Sequence, residues 1–189
     1  MIGNDIVDLN NIATNWNRLR FFNKVFTEDE QHIILISDDK HQTVWLLWSM
    51  KEAAYKVHVQ QFGTRFFNPK KMVCHVSSST KGYVTIENEV YYTKSKFSDN
   101  YIYTIATLNV SETHKSFILE IANTSYFAQS ESLKQQVLKT ISSERNLNIQ
   151  DLNLKKEASG IPELFHNNSK LPIKLSLTHC GNYGGFVYF

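Results

Sequence analysis

The clearest pattern along the chain is a helical one between residues 41 and 61. Apolar side chains recur there at intervals of three and four positions, which places them on one face of a helix that turns by about 100° per residue. That face consists of Leu47, Met50, Ala54 and Val57. The opposite face carries Trp45, Trp48, Glu52, Tyr55 and Lys56. Because large aromatic side chains surround an ion pair, we expect this second face to line a partly dry cleft.

Shorter patterns before and after this helix predict an α+β fold. Residues 1–9 predict a short buried strand, and the aromatic and basic residues 15–26 predict a helix. Thr27, with Glu30 three residues later, forms a capping-box pattern that begins a helix ending near residue 36. Alternating β-branched and aromatic runs in residues 70–109 predict an antiparallel meander.

The last third of the chain predicts further strands around one helix. Residues 117–122 add a strand, and residues 130–145 place their apolar side chains in helical register. Residues 152–189 predict short strands separated by glycine and proline turns. The polar stretch 124–132 is the candidate joint between two halves of the chain.

Composition excludes several classes of protein. The 189 residues are 42% hydrophobic and 20% charged, which suits one large domain or two small packed halves. A formal net charge of +2 is too small to indicate binding to nucleic acid or membranes. The chain has neither a signal-peptide pattern nor an apolar stretch of about 20 residues that could span a bilayer. Cys74 and Cys180 are too few for a disulfide framework, so we expect reduced thiols in a cytoplasmic protein.

Two acids stand in the apolar first strand. A carboxylate in such a strand is costly unless a cation or hydrogen-bond donors compensate its charge. Asp5 or Asp8 could therefore be a ligand of Mg²⁺, which prefers oxygen ligands. The alternative is that either residue caps a turn at the end of the strand.

Glu52 and Lys56 are four residues apart and therefore share one face of the long helix. One interpretation is an exposed ion pair worth roughly 0.2–0.5 kcal/mol. The aromatic side chains beside the pair favour a cleft wall instead. In such a cleft Glu52 would share a metal ion with Asp5, and Lys56 would neutralise a phosphate.

A third candidate is the segment Ser176, Leu177, Thr178 and His179, which ends a predicted strand before a glycine turn. By strand alternation His179 shares its side with Leu177. A histidine buried in the core is therefore the alternative to a functional one.

Taken together in chain order, these segments resemble the 4'-phosphopantetheinyl transferase superfamily. GNDIVDL is similar to the family's strand G-x-D-[IV]-V-x-[IL], and FFNKVFTEDE is similar to F-x-x-[RK]-[VI]-[FY]-[TS]-x-x-E. WSMKEAAYK matches the more specific pattern W-[ST]-x-K-E-A-x-x-K. SGIP and SLTH resemble the family's G-K-P and S-[IL]-S-H. The resemblance covers residues 1–76 and 154–189, whereas the middle of the chain is only compatible with it.

The resemblance implies an enzyme that moves the 4'-phosphopantetheine group of coenzyme A to a serine of an apo acyl or peptidyl carrier protein. Asp5 and Glu52 would bind Mg²⁺, and Glu52 is the candidate base for the serine. Lys56 would contact the pyrophosphate of coenzyme A and stabilise the leaving group. His179 would bind a phosphate of coenzyme A.

Further contacts to coenzyme A follow from the same resemblance. The hydroxyl groups of Ser176 and Thr178 are expected to help shape its pocket. Ile161 stands where the family has the lysine of G-K-P. Lys155 or Lys156 is therefore expected to supply the phosphate contact that this lysine would make.

The order of the segments is that of the short holo-acyl-carrier-protein synthase branch, but the chain is much longer. Val7 stands where surfactin-type members have a second acid, so water is expected at that coordination position. YIYTIATL resembles the closing strand of a surfactin-type second half. We therefore expect a 4'-phosphopantetheinyl transferase-like fold in which residues 1–123 and 124–189 form a pseudo-dimer of similar halves. A monomer would then be active, and the alternative is a homotrimer that shares its active sites.

The carrier protein is expected to be acidic around its serine. The segment expected to bind it combines basic and aromatic residues: Arg18, Arg20, Phe21, Phe22 and Lys24. The alternative is a helix that packs its aromatic rings inward and leaves its charges in solvent. Two other function classes stay open, namely a non-catalytic relative that binds coenzyme A or a carrier protein, and an unrelated α+β binding module. The sequence does not distinguish between fatty acid, polyketide, pigment and nonribosomal peptide carriers.

Overall fold

The computed structural model describes residues 1–12, 15–66, 68–121 and 125–189 as an α+β fold with antiparallel sheets. Within these residues the α-helices are α1 (Leu19–Val25), α2 (Glu28–Ile36), α3 (Lys40–Phe62) and α4 (Tyr126–Arg145). The strands are β1 (Ile2–Asp8), β2 (Met72–Val76), β3 (Lys81–Ile86), β4 (Glu89–Phe97), β5 (Tyr101–Thr107), β6 (Lys115–Glu120), β7 (Leu152–Lys156), β8 (Pro162–His166), β9 (Ser169–Lys170), β10 (Leu175–Cys180) and β11 (Tyr183–Tyr188). Single 3-10 turns, Pro69–Lys71 and Ile149–Asp151, precede β2 and β7.

The strands form three sheets. The first has the order β1-β5-β4-β3-β2, the second β10-β11-β6 and the third β7-β8-β9. The predicted meander is confirmed, since β2, β3 and β4 each pair with the next strand in the chain. β5 also pairs with β1 and places Asp5 opposite Thr104. β1 therefore lies at one edge of the first sheet.

α3 packs its predicted apolar face against the first sheet. Leu47, Met50, Ala54 and Val57 are all buried in this core. The helix lies so close to β1 that a Cβ atom at Gly3 would overlap the carbonyl oxygen of Ala53. A glycine on the strand is therefore required for α3 to pack directly over β1.

The prediction that Trp45 faces a cleft is wrong. Trp45 is buried in the first core, and Trp48 is partly buried against the same core. Phe21 of α1 packs against both indole rings, with ring centroids 6.2 and 6.0 Å away. α1 thus covers this part of α3, which the periodicity of α3 does not reveal.

The capping box at the start of α2 is confirmed and extends into a buried ion pair. Thr27 Oγ1 accepts a hydrogen bond from Glu30 N, and Glu30 Oε2 accepts one from Thr27 N. The same carboxylate lies 2.8 Å from Lys51 Nζ, with both side chains at most 1% exposed. Lys51 also donates to two backbone carbonyl oxygens, and Glu30 Oε1 accepts from Cys74 N. Both buried charges are therefore fully partnered, and they join α2, α3 and β2.

Two predicted helices have different bounds in the structure. α1 has only seven residues because the Asn15 side chain accepts a hydrogen bond from Asn17 N and forms a turn there. α4 begins at Tyr126, before the predicted residue 130, because the Ser125 side chain caps it. The candidate joint is therefore helical from Tyr126 onward, and the predicted boundary between residues 123 and 124 lies outside the described residues.

α4 packs against the second and third sheets. Its predicted apolar register is confirmed by the burial of Leu133, Val137, Leu138 and Ile141 in a second core. β6, β7, β8, β10 and β11 contribute most of the other side chains of this core. In the described part of the chain, no helix combines the length and apolarity needed to cross a membrane.

β1 and β10 lie side by side although they belong to different sheets, and side chains join them. The hydroxyl groups of Ser176 and Thr178 accept hydrogen bonds from two N–H groups of β1, each at 3.2 Å. Two side chains of α3, Lys56 and Gln60, each donate to one carbonyl oxygen of β1 and one of β10. We call this contact the β1–β10 seam.

Replacing Lys51 with methionine should lower the free energy of unfolding by about 3–5 kcal/mol, because Glu30 keeps a buried charge without its partner. Urea denaturation followed by circular dichroism measures the change. Lys71→Met is the matched control, since Lys71 and its partner Glu87 are 60% and 66% exposed, and such pairs contribute about 0–1 kcal/mol. Equal effects of the two substitutions would show that the buried pair does not stabilise the fold.

Candidate active site

Asp5 lies in the β1–β10 seam with only one of its oxygens satisfied. Asp5 Oδ1 accepts a hydrogen bond from Thr178 Oγ1 at 3.1 Å and lies 3.6 Å from Lys56 Nζ. Asp5 Oδ2 is buried without a hydrogen-bond partner in the described part of the protein. Burial raises the pKa of Asp5, and Lys56 opposes this effect. The carboxylate thus has charge and a lone-pair oxygen that the protein compensates only in part.

α3 brings Glu52 and Lys56 to the same place, one helical turn apart. Lys56 Nζ donates to the carbonyl oxygens of Asn4 and Leu177 at 2.6 and 3.3 Å, which fixes it between β1 and β10. Burial and the charge of Asp5 raise the pKa of Glu52 to about 7, and Lys56 opposes this shift. The charge of Asp5 therefore acts on Glu52, and the ammonium group of Lys56 stabilises the charged forms of both carboxylates.

The chemistry of these groups fits a divalent cation that prefers oxygen ligands. Two coupled carboxylates that burial removes in part from water repel each other, and a cation between them would remove that repulsion. Mg²⁺ usually binds one or two carboxylates and completes its coordination with phosphate oxygens and water. Among the described residues, no three His, Cys, Asp or Glu side chains form a metal cage. A cation bound here would therefore depend on two protein carboxylates and on ligands from substrate and water.

Two adjoining cavities border the acidic pair. One has a volume of about 300 Å³ and is lined by Glu52 on α3 and by the β7–β8 hairpin. The other has a volume of about 530 Å³ and is lined by Asp5, β10 and α4. Lys56, Lys156 and Leu177 line both. Both volumes fall in the range of roughly 300–1,000 Å³ that is typical of small-molecule sites.

His179 is half-buried at the second cavity, and Gln129 determines its tautomer. Gln129 Nε2 donates to the carbonyl oxygen of Gly181 at 2.5 Å, so its Oε1 is the atom 2.7 Å from His179 Nδ1. Nδ1 must then carry the proton, and Nε2 is the nitrogen left to meet a ligand. Tyr126 packs edge-on against the imidazole, with ring centroids 4.9 Å apart. Burial, reinforced by two nearby lysines, lowers the pKa of His179, an effect that a bound anion would oppose.

Asp8 has the structural role that the sequence left as an alternative. Its buried carboxylate accepts hydrogen bonds from the N–H groups of Asn10 and Asn182, at 3.0 and 2.8 Å. A Cβ atom at Gly181 would overlap this carboxylate, and the φ angle of Gly181 is +56°. Asp8 thus holds the turn between β10 and β11, directly after His179.

Of the other residues predicted to bind coenzyme A, only some have side chains that are available to a ligand in the cavities. Lys155 and Lys156 of β7 point to opposite sides. Lys156 lines both cavities, whereas Lys155 Nζ lies over the ring of Phe165, 4.8 Å from its centroid. Ser176 and Thr178 lie at the cavity walls, but their hydroxyl groups already bind β1. These two residues therefore act on the cavities by holding β1 in place.

The segment predicted to bind a carrier protein packs its aromatic rings inward and leaves its charges exposed, as in the alternative to carrier binding. Phe21 and Phe22 pack, partly buried, against the first core. Arg18, Arg20 and Lys24 are exposed. Docking of a carrier protein on these three charges stays a prediction.

Reasoning from sequence missed Gln129, Tyr126 and Arg65. Gln129 and Tyr126 stand at the beginning of α4, in the stretch expected to be a joint, and no pattern there indicates a contact with His179, which is 50 residues from Gln129. Arg65 lies in the segment that was expected only to end α3, yet it lines the smaller cavity. A cation directly after the helix of Glu52 and Lys56 was the available signal.

Comparison with known proteins identifies the family to which the chain belongs. Residues 1–122, more than half of the chain, match the family model of the 4'-phosphopantetheinyl transferase superfamily. The match includes Asp5, Glu52 and Lys56, and it ends before the segments that contain Lys156 and His179. No curated protein matches the chain.

Replacing Gln129 with leucine should convert His179 to a tautomer mixture in which Nε2–H dominates, because Nδ1–H loses its acceptor. Nuclear magnetic resonance with ¹⁵N-labelled histidine, at a pH where the ring is neutral, distinguishes the two forms. Gln135→Leu is the matched control, since Gln135 is exposed on the same helix and, among the described residues, its amide donates a hydrogen bond only to Glu131. An unchanged Nδ1–H tautomer in Gln129→Leu would contradict this role of Gln129.

Proposed function

We propose that this chain, which belongs to the 4'-phosphopantetheinyl transferase superfamily, transfers the 4'-phosphopantetheine group of coenzyme A to a serine of an apo acyl or peptidyl carrier protein. The observation that carries the proposal is the electrostatic coupling of the buried Asp5 with the partly buried Glu52, with Lys56 Nζ 3.6 Å from Asp5 and cavities of ligand size beside them. Asp5 and Glu52 are the proposed ligands of Mg²⁺. The free thiols of Cys74 and Cys180 support a cytoplasmic location for the reaction.

Glu52 is the proposed base for the serine hydroxyl group of the carrier protein. Glu52 lines the smaller cavity, where its carboxylate would accept that proton directly or through bound water. As the proton passes to Glu52, the serine oxygen forms a bond to the phosphorus that carries the pantetheine arm. The bond from this phosphorus to adenosine 3',5'-bisphosphate breaks, and Lys56 stabilises the charge that develops on the departing phosphate. Mg²⁺, when bound, supplies Lewis-acid polarisation of the phosphoryl oxygens.

His179 on β10 and Lys156 on β7 are the proposed phosphate contacts from the elements that face β1 and α3 across the cavities. Gln129 supports this assignment for His179, because it keeps Nε2 as the nitrogen that meets a ligand. Lys156 is preferred to Lys155 because Lys156 lines both cavities. Ser176 and Thr178 contribute by holding β1, and with it Asp5, against β10.

We also propose that the chain is a pseudo-dimer of two similar halves. In each half a first strand precedes a long helix and pairs with the last strand, as β1 does with β5 and β6 with β11. In each half the last strand also pairs with the one before it. In this proposal β6 belongs to the second half, and the proposed boundary moves from residue 123 to the connection between Thr107 and Lys115.

Asp5→Asn and Glu52→Gln should each lower the rate of transfer, the latter by roughly 10²–10⁴-fold because it removes the proposed base. The protein is incubated with Mg²⁺, coenzyme A and a panel of apo carrier proteins, and the mass of each carrier is measured. Asp99→Asn, in an exposed turn between β4 and β5, is the control and should retain activity.

Two outcomes would contradict the proposal. Near-normal transfer by both site variants would reject the assignment of the carboxylates. Binding of coenzyme A without a change in the mass of any carrier would favour the second candidate, a non-catalytic binding module. Among the described residues, Asp5 Oδ2 has no hydrogen-bond partner, and burial and the charge of Asp5 raise the pKa of Glu52. Such perturbed carboxylates favour catalysis over simple binding, which does not require them.

The active protein should be a monomer, because the pseudo-dimer supplies both sides of the cavities from one chain. Light scattering at the concentrations of the transfer assay measures its mass against the 21.9 kDa of a single chain. Activity confined to a trimer would show instead that the site is shared between chains.

A further inference from the structure

The smaller cavity ends at a cation that the proposed reaction does not use. Arg65 lines the same cavity as Glu52 and Lys56. It follows Gly63, which ends α3 in a left-handed conformation. Glu52 lies ten residues before Phe62, the last residue of α3, which is roughly 15 Å along the helix axis. Arg65 therefore lies at the end of the cavity away from the acidic pair.

Arg65 faces the loop between β7 and β8. Its Nε donates a hydrogen bond to the carbonyl oxygen of Ser159. The guanidinium group packs against Gly160, where a Cβ atom would overlap it and where φ is +81°. In the described part of the chain, no carboxylate lies within ion-pair distance of Arg65. Among the described residues, the remaining N–H donors of this exposed side chain therefore form no ion pair with a carboxylate.

The loop that Arg65 contacts has an apolar residue where the family has a cation. Ile161 replaces the lysine of G-K-P and lines the cavity beside Pro162. The cations that line this cavity are Lys56, Lys156 and Arg65 among the residues that the structure describes. An anionic group at the outer end would thus meet positive charge from the segment after α3.

We propose that Arg65 binds the 3'-phosphate of coenzyme A and, together with Lys156, supplies positive charge to the cavity wall that Ile161 leaves apolar. This inference rests on the proposed function, which assigns the diphosphate of coenzyme A to Lys56 and the acidic pair. The 3'-phosphate lies outside this diphosphate, and as a monoester it carries up to two negative charges. The planar guanidinium group of arginine binds such a phosphate through two parallel hydrogen bonds. Arg65 is then a substrate-binding residue that distinguishes coenzyme A from 3'-dephospho-coenzyme A.

Steady-state transfer with coenzyme A and with 3'-dephospho-coenzyme A tests the inference in the wild type, Arg65→Ala and Arg65→Lys. We expect the wild type to have a KM at least about tenfold lower for coenzyme A. Arg65→Ala should raise the KM for coenzyme A by about tenfold, with kcat and the KM for 3'-dephospho-coenzyme A near their wild-type values. Arg65→Lys should recover part of the preference. Arg145→Ala removes an exposed arginine at the end of α4 and should behave as the wild type.

Each other outcome overturns a defined part of the inference. Equal increases in KM for both substrates would assign Arg65 only to holding the β7–β8 loop, and no change would remove it from the site. If the wild type transfers nothing to any carrier, the proposed function fails. Calorimetric titration of the same proteins with coenzyme A and 3'-dephospho-coenzyme A then tests the inference. Arg65→Ala should bind coenzyme A about tenfold more weakly than the wild type and 3'-dephospho-coenzyme A equally well. Absence of coenzyme A binding to the wild type would overturn both proposals.

Discussion

The hydrogen bonds of the β1–β10 seam hold the candidate site together. The two strands belong to different sheets, so the backbone groups on their facing edges need partners from side chains, and leaving such a group unsatisfied costs about 1–3 kcal/mol. Ser176 and Thr178 supply partners from β10, and Lys56 and Gln60 supply them from α3. Because Lys56 also lies beside Asp5, the contacts that join the sheets also assemble the site. Substitutions in the seam therefore act on stability and on the site together.

Lys51 and Glu52, two successive residues of α3, have different roles: the first is structural and the second belongs to the candidate site. Lys51 is buried, but Glu30 and two backbone carbonyl oxygens satisfy its charge completely. Glu52, about 100° further around the helix, lies near Asp5 in a site where burial and repulsion raise its pKa. Partnered charge of the first kind stabilises a fold, whereas charge left uncompensated is typical of sites that bind a cation or accept a proton. The lysine and the glutamate of one short motif thus serve different purposes.

The predictions that failed concern side chains covered by segments distant in the chain. Trp45 lies on the expected face of α3, but α1 packs Phe21 against it and makes that part of the face a core. The start of α4 was expected to be a joint, yet it supplies Gln129, which orients His179. In both cases the local pattern was sound, and the partner that decided the environment came from another element.

The sequence by itself determined the elements whose signals are local. Helical periodicity predicted α3, the capping box predicted the start of α2, and alternation with turns predicted the meander, because each depends on neighbours within a few residues. The spacing of Glu52 and Lys56, and the motif around them, also predicted half of the candidate site. The family resemblance already predicted that Asp5 joins this pair. Only the tertiary structure decided that Asp8 holds a turn, and that Lys156 lines the cavities while Lys155 does not. These outcomes depend on the contact between β1 and β10, whose residues Asn4 and Ser176 are 172 positions apart. Tertiary packing determines which strand edges come together, and a local periodicity carries no information about it.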